Sequence, residues 1–228
     1  SLTGATLKTN GTTFTTNANA LTLSNSSFLE VEGTQNLSGV VPDGTSTLRL
    51  TADASINDSA ALSVGTLDLS DFALTLNDQM AGLSIAQPVT LDAAGEKILT
   101  GAADLSLNGG ISATAGTLSS TGGTLSLPIG ATLASGASFS TSNTTLNLGG
   151  SLAVADTWTS TSTSVSLTDN ASLSSTEEMS LASLQTNGYD FELASATSDL
   201  TIENAFALSG GETLSTQGAD LIFESSAD

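Results

Sequence analysis

The chain has 228 residues, of which 39% are hydrophobic, 4% aromatic and 11% charged, and its formal net charge is −20. Only Lys8, Arg49 and Lys97 are basic, which excludes a cation cluster able to displace counterions from nucleic acid or from an anionic membrane surface. Cysteine and histidine are both absent, which excludes disulfides, thiolate metal sites, and catalytic or metal sites that need histidine.

The composition predicts an all-β protein. Most apolar residues are leucine and alanine set among serine, threonine, glycine and asparagine, and strong helix formers such as lysine, arginine and glutamine are rare. The regular placement of the apolar residues argues against disorder. No run of about 18 apolar residues occurs, so no membrane insertion is expected.

Short strands of L-x-L type recur in chain order at intervals of about 18 to 22 residues, the period at which a β-solenoid completes one coil. Their marker residues are Leu7, Leu29, Leu48, Leu67, Ile85, Leu105, Leu125, Leu146, Val165, Leu184, Ile202 and Leu221. The pattern predicts a single-stranded parallel β-helix of about a dozen coils, formed by residues 1–228 as one domain. At the usual strand spacing, such a rod is about 55 to 60 Å long.

Two further apolar columns follow the same period. One contains Leu118, Phe139, Trp158 and Met179, and the other contains Leu133, Leu152, Leu173 and Leu193. Three columns with one period predict three interior stacks, one behind each face of a coil. Glycine and asparagine between the strands supply the positive φ angles that sharp corners need.

Two segments complicate this pattern. In residues 174–185, Ser175 and Glu178 match a helix capping box, but Met179 and Leu184 keep the solenoid period, which favours strands. In "ADTWTSTSTSVSL", residues 155–167, Trp158 has the opposite parity from Val165, so the ribbon must contain a corner. Trp158 then belongs in an interior stack rather than on a binding face.

The L-x-L strands, Gly/Asn corners, Ser/Thr richness and period resemble the parallel β-helix regions of secreted bacterial adhesins, of the autotransporter-passenger or filamentous-haemagglutinin type. The resemblance covers the whole chain but implies no functional residue. It implies an extracellular or cell-surface, noncatalytic rod. Because the sequence begins at Ser1 without a signal segment and ends on a strand without a visible cap, we expect a fragment or processed subunit of a larger extracellular protein.

Catalytic candidates are limited to carboxylates. Asp68, Asp71 and Asp78 lie in "LDLSDFALTLND", and polysaccharide-cleaving β-helices use aspartates on adjacent coils as acid, base or nucleophile. Solvated surface acids are far more common than catalytic ones, so we expect no enzymatic activity. The runner-up hypothesis is a carbohydrate-binding or polysaccharide-cleaving β-helix that uses these residues.

Other ligands find little support in the sequence. No calcium-binding repeat occurs, and Asp43 and Asp169 suit Asx turns as well as calcium ligation, so neither a metal nor a cofactor is expected. Flanking the Trp158 column, the pairs contain only one T-x-T in four, which argues against an ice-binding face. Glycosylation triplets begin at Asn10, Asn25, Asn36, Asn57, Asn143 and Asn170.

These observations predict a noncatalytic structural or adhesive solenoid of a bacterial surface protein or filament. Its expected partners are a second copy stacked head to tail or further solenoid, and a surface glycan or a host or neighbouring cell.

Overall fold

This computed structural model describes residues 1–9, 20–37, 39–57, 60–78, 80–194 and 199–224, and every regular element in those ranges is a β-strand. The chain winds into a parallel β-solenoid of about 10 turns with a period of about 21 residues. The predicted fold class is confirmed. The number of coils is somewhat lower than the expected dozen. The L-x-L strands do not all lie on one face, so not every such strand marks a new coil.

The strands are short and separated by corners. They are β1 (Leu2–Thr3), β2 (Thr6–Lys8), β3 (Leu21–Ser24), β4 (Phe28–Gln35), β5 (Val40–Pro42), β6 (Thr47–Ile56), β7 (Leu62–Val64), β8 (Thr66–Asp68), β9 (Ala73–Leu76), β10 (Gly82–Ile85), β11 (Val89–Leu91), β12 (Lys97–Thr100), β13 (Asp104–Leu107), β14 (Ile111–Ala113), β15 (Thr117–Thr121), β16 (Thr124–Leu127), β17 (Gly130–Leu133), β18 (Ser138–Ser142), β19 (Thr145–Val154), β20 (Trp158–Thr161), β21 (Ser164–Ser175), β22 (Met179–Gln185), β23 (Phe191–Leu193), β24 (Leu200–Ala207), β25 (Leu214–Ser215) and β26 (Leu221–Phe223).

One coil consists of β15, β16 and β17, and these strands name the three faces of the solenoid. The β15 face continues through β12 and β18, the β16 face through β13 and the first half of β19, and the β17 face through β14 and the second half of β19. All pairings between described strands are parallel. Each inner coil is therefore hydrogen-bonded above and below.

The interior is a continuous apolar column of stacked, like residues. On the β15 face, Leu118 pairs with Phe139 and Phe139 pairs with Trp158. Met179 is buried on β22, which lies beside β20. The predicted column behind this face is therefore confirmed.

The L-x-L markers form three groups rather than one column. Leu7, Leu29, Leu48 and Leu67 pair in succession. Leu105, Leu125, Leu146, Val165 and Leu184 pair on the β16 face, where Ile85 lies two residues further along its strand, beside Leu107. Ile202 and Leu221 belong to the strands that continue the Met179 stack.

The predicted column of Leu133, Leu152, Leu173 and Leu193 is confirmed from Leu152 to Leu193, which pair in succession, but Leu133 lies two residues out of register. Leu133 pairs with Val154, and Ala131 pairs with Leu152, which then pairs with Leu173. The cause is coil length: this coil needs 21 residues from Leu133 to its partner Val154, whereas Leu152 lies only 19 residues from Leu133.

The two ambiguous segments are resolved in favour of strands and a corner. Residues 174–185 contain the end of β21 and the whole of β22, with no helix. In the Thr/Ser ribbon, β20 ends at Thr161, Ser162 has φ 51°, and β21 begins at Ser164. The predicted corner lies at this left-handed residue.

Glycine is required where coils approach closely at such corners. Gly130 has φ 89°, and an added Cβ would overlap the carbonyl oxygen of Ser151 in the next coil. A side chain there would separate the coils.

Candidate functional sites and surfaces

Trp158 is an interior residue, as its parity predicts. Only 4% of it is exposed, and its ring stacks on Phe139 with centroids 5.2 Å apart. Its indole Nε1–H donates a hydrogen bond of 2.9 Å to the hydroxyl of Thr141. The aromatic stack therefore satisfies its one polar group inside the core and offers no binding surface.

A ladder of buried hydroxyls runs behind the corner next to Trp158. The Thr141 and Thr163 hydroxyls are 2.7 Å apart, and Thr163 also donates to the Thr141 carbonyl oxygen. Further down, Thr100 donates to the Ser120 hydroxyl and Thr144 donates to the Ser120 carbonyl oxygen. These polar side chains occupy interior positions because each finds a partner in its own or the neighbouring coil.

This interior ladder was not predicted from the sequence. The outward and inward hydroxyl residues are the same types, so composition alone does not distinguish them. A signal was present in the parity, since Thr141 is two residues from the interior Phe139 and faces the same side of its strand.

A second ladder is ionic and crosses four successive coils. Lys8 pairs in register with Glu30, Glu30 with Arg49, and Arg49 with Asp68. The Lys8 Nζ lies 2.6 Å from a Glu30 carboxylate oxygen, and the Arg49 Nε lies 2.8 Å from an Asp68 carboxylate oxygen. Arg49 also lies over the Phe28 ring, 4.3 Å from its centroid. Alternating charges thus hold neighbouring coils in one register.

The signal for the ionic ladder was in the sequence. Each of the four charged residues directly follows the marker leucine of its strand, in "LK", "LEV", "LRL" and "LDL", and their charges alternate. Lys8 and Arg49 are two of the three basic residues in the chain. Most of the scarce positive charge is therefore committed to contacts between coils.

The structure does not bring the three catalytic candidates together. Asp68 bonds to Arg49 and to the hydroxyl of Ser70 at 2.7 Å. Asp71 has φ 73° and forms a tight turn with Ser70. Asp78 accepts the backbone N–H of Ala102 at 2.9 Å. Asp68 and Asp78 line separate clefts, of about 420 and 380 Å³.

The environment of Asp68 keeps its carboxylate ionised. Partial burial raises its pKa, but hydrogen bonds from Ser70 and Arg49, together with the Arg49 charge, outweigh that effect and lower the pKa below its ordinary value of 3.8. A general acid needs the opposite shift. Asp68 is thus suited to the ion pair that it forms.

Aspartates at the corners bond one coil to the next through backbone N–H groups. The clearest cases are Asp104, which accepts the Thr124 N–H at 2.7 Å, and Asp53, which accepts the Ala73 N–H at 2.9 Å. We call these contacts corner staples. The other aspartates in corner staples are Asp43, Asp78, Asp156, Asp190 and Asp199.

Corner staples explain much of the acidic composition. At a corner the strand ladder is interrupted, so a backbone donor needs another acceptor. A carboxylate that accepts such a donor acts as an N-cap residue does in a helix. In the sequence these acids resemble solvated surface charge, because their donors lie one coil away along the chain.

Asp43 forms the local turn that the sequence suggested as an alternative to calcium ligation, whereas Asp169 lies within β21, at its register shift, and not in a turn. Asp43 accepts bonds from the Thr45 hydroxyl at 2.7 Å and the Thr45 N–H at 3.0 Å, and Asp169 accepts the N–H of Asn170 at 2.7 Å. The Thr45 hydroxyl is the main cause of a lowered pKa at Asp43. In the described ranges, no group of three acidic side chains has the geometry to hold a metal ion.

Hydroxyl side chains also form rows on the exterior. The pairs flanking the Trp158 column are in register, with Ser119 opposite Ser140 and Ser140 opposite Thr159. A longer row lies on the β16 face and contains no threonine. It consists of Ser63, Ser84, Ser106, Ser126, Asn147, Ser166 and Gln185.

A groove of about 540 Å³ lies on the β17 face. Three serines, Ser151, Ser172 and Ser215, line the groove, and its other polar residues include Asp190, Glu192 and Asn170. Glu192 accepts a bond from Gln217, and Asp190 accepts the N–H of Thr213. Phe191 is buried beneath the groove, so its ring is not presented for stacking on a ligand.

The asparagines of the glycosylation triplets differ in exposure. Asn25, Asn36, Asn143 and Asn170 are exposed and Asn57 is half-buried, whereas Asn10 lies outside the described residues.

Comparison with known proteins gives no assignment: no family model, curated protein or solved structure matches this chain. Within the described ranges, no helix has the length and apolarity to cross a bilayer.

Proposed function

We propose that this chain is a noncatalytic structural segment of an extracellular bacterial surface protein or filament, of the adhesin type that its strand pattern resembles. The observation that supports this proposal most strongly is the use of charged residues. In the ladder from Lys8 to Asp68 and in the corner staples, charged side chains of the kind that an active site would need instead form contacts between coils.

The solenoid supplies length and stiffness in this proposal. About 10 coils at the usual strand spacing of about 4.8 Å give a rod on the order of 50 Å long. Because each coil bonds only to its neighbours, stiffness depends on the quality of each junction. The ladders and staples strengthen those junctions at the faces and at the corners.

End-to-end association is part of the proposal. Among the described strands, β25 pairs only with β23 and β26 only with β24, and Ile222 and Phe223 of β26 are exposed. A strand edge with exposed apolar side chains favours pairing with another strand. A second copy or further solenoid would satisfy it.

Electron microscopy and sedimentation test this association. We expect native rods to form end-to-end assemblies whose length increases with protein concentration. Phe223→Asp should shift the distribution to single rods, whereas Leu208→Asp, at another exposed apolar position, should change it less. Single rods of native protein at all concentrations would contradict end-to-end stacking but leave the structural role intact.

The groove on the β17 face favours a second candidate function, carbohydrate binding. Its serines, Asn170 and the carboxylates of Asp190 and Glu192 can donate to or accept from sugar hydroxyls. Retention of the chain on neutral and acidic polysaccharides would test binding, and a reducing-end assay would test cleavage. Glu192→Gln should weaken retention, and Glu177→Gln, outside the groove, should not.

A further inference from the structure

We infer that Asn187 is a site of spontaneous deamidation, and that its conversion releases one corner of the solenoid from the coil below. Asn187 and Gly188 form the turn between β22 and β23. Both residues are exposed, with φ 52° and 90°, and the turn is closed by a hydrogen bond from the Tyr189 N–H to the Thr186 carbonyl oxygen.

The reaction needs only the two residues and water. The backbone nitrogen of Gly188 attacks Cγ of Asn187, a nitrogen–carbon bond forms, and the Gly188 N–H proton is lost to solvent. The Cγ–Nδ2 bond breaks, Nδ2 takes up a proton from water and leaves as ammonia, and a five-membered imide remains. Water then opens the imide at either carbonyl and gives aspartate or isoaspartate at position 187.

The surroundings of Gly188 leave room for this attack. A Cβ built on Gly188 would meet no atom within 4 Å. In the part of the chain that the structure describes, the Gly188 N–H donates no hydrogen bond to the protein. The nitrogen that must act as nucleophile is therefore neither shielded nor engaged.

The solenoid contains a matched comparison at Asn108 and Gly109. Asn108 occupies the equivalent corner position four coils earlier, and its Nδ2 donates to Ser84 as that of Asn187 donates to Ser166. However, Gly109 packs against the backbone of Gln87 and Pro88 so closely that a Cβ would overlap it. Also, the Asn108 N–H is bonded to the Ile85 carbonyl oxygen.

Deamidation at 187 has a structural consequence. The Asn187 Nδ2 donates to the Ser166 hydroxyl at 2.8 Å and to the Leu167 carbonyl oxygen at 2.9 Å. A carboxylate has no donor for the Leu167 carbonyl oxygen and is repelled by it, so this contact between the coils is lost, and the Ser166 contact persists only if the hydroxyl reverses its role and donates. Isoaspartate adds a backbone carbon and also disturbs the register of β22 and β23.

Mass spectrometry of aged protein tests the inference. After incubation of the folded chain in mildly alkaline buffer, a protease that cuts after glutamate places Asn187 in fragment 179–192 and Asn108 in fragment 97–177. We expect deamidation at Asn187 to be about tenfold faster, the factor that about 1.4 kcal/mol of extra distortion at Asn108 would supply. Chain unfolded in denaturant should lose this difference.

Equal rates at the two sites in the folded chain would overturn the inference. For the structural consequence, Asn187→Asp should increase amide hydrogen exchange in β22 and β23, while Asn108→Asp should increase it around β13 and β14 only. Unchanged exchange in Asn187→Asp would show that the corner is not released.

Discussion

Removing the Thr141 hydroxyl should destabilise the solenoid around Trp158 although no volume is lost. In Thr141→Val, the indole N–H of Trp158 remains buried but has lost the acceptor that lies 2.9 Å away. The valine side chain has nearly the same shape as threonine, so no cavity forms. The expected cost is that of one unsatisfied buried donor, about 1 to 3 kcal/mol in the free energy of unfolding.

Trp158 provides the assay, because it is the only tryptophan in the chain. Urea unfolding followed by its fluorescence reports on the coils that contain the substitution. Thr141→Ser keeps the hydroxyl and should lose only about 0.8 kcal/mol for the missing methyl group. Thr159→Val alters an exposed hydroxyl next to Trp158 and should stay within about 0.5 kcal/mol of the native chain.

The difference in unfolding free energy between Thr141→Val and Thr159→Val tests whether the buried hydroxyl stabilises the solenoid. If Thr141→Val is as stable as Thr159→Val, the buried hydroxyl ladder does not contribute to stability and the reasoning from the Trp158 hydrogen bond is wrong.

Three further predictions concern charge. Asp104→Ala should destabilise its coil by a few tenths to about 1 kcal/mol, whereas Asp104→Asn, which keeps an acceptor for the corner N–H, should cost less; urea unfolding distinguishes them. Arg49→Gln should lower the thermal unfolding midpoint in low salt, with a smaller loss in high salt, because the ladder carboxylates lose a screenable partner. The folded chain lowers the pKa of Asp43 and Asp68 below 3.8 and that of Glu212 below 4.5. Their stabilising contribution is therefore complete at a pH above these ordinary values, and it is lost as the pH falls through the lower pKa values of the folded state. A urea midpoint that does not fall with decreasing pH in this acidic range would contradict the prediction.

The period and the interior position of Trp158 could be predicted from the sequence because inward residues recur in every coil. The column of Leu118, Phe139 and Trp158 is confirmed strand by strand. The Thr/Ser ribbon was also informative, since the opposite parity of Trp158 and Val165 required the corner that lies at Ser162.

The assignment of strands to faces could not be predicted in the same way. All three faces use similar L-x-L strands, so a marker residue does not show to which face its strand belongs. In addition, coils differ in length at their corners, which changes the spacing between paired residues. Leu133 illustrates the difficulty: Leu152 lies 19 residues further along the chain, but the partner of Leu133 is Val154, 21 residues further along. The acceptor roles of Asp104 and Asp78 were hidden because their donors lie in the neighbouring coil.

A pair of engineered cysteines tests the stacking of coils most directly. Ser119 and Ser140 pair in register, with their hydroxyl oxygens 2.8 Å apart, and the chain has no cysteine of its own. Under mild oxidation, the double variant Ser119→Cys with Ser140→Cys should form an intramolecular disulfide. The control, Ser119→Cys with Thr159→Cys, joins positions two coils or about 9.6 Å apart and should remain reduced. Free thiols in the first variant, or equal bridging in both, would contradict the parallel solenoid on which the proposed function depends.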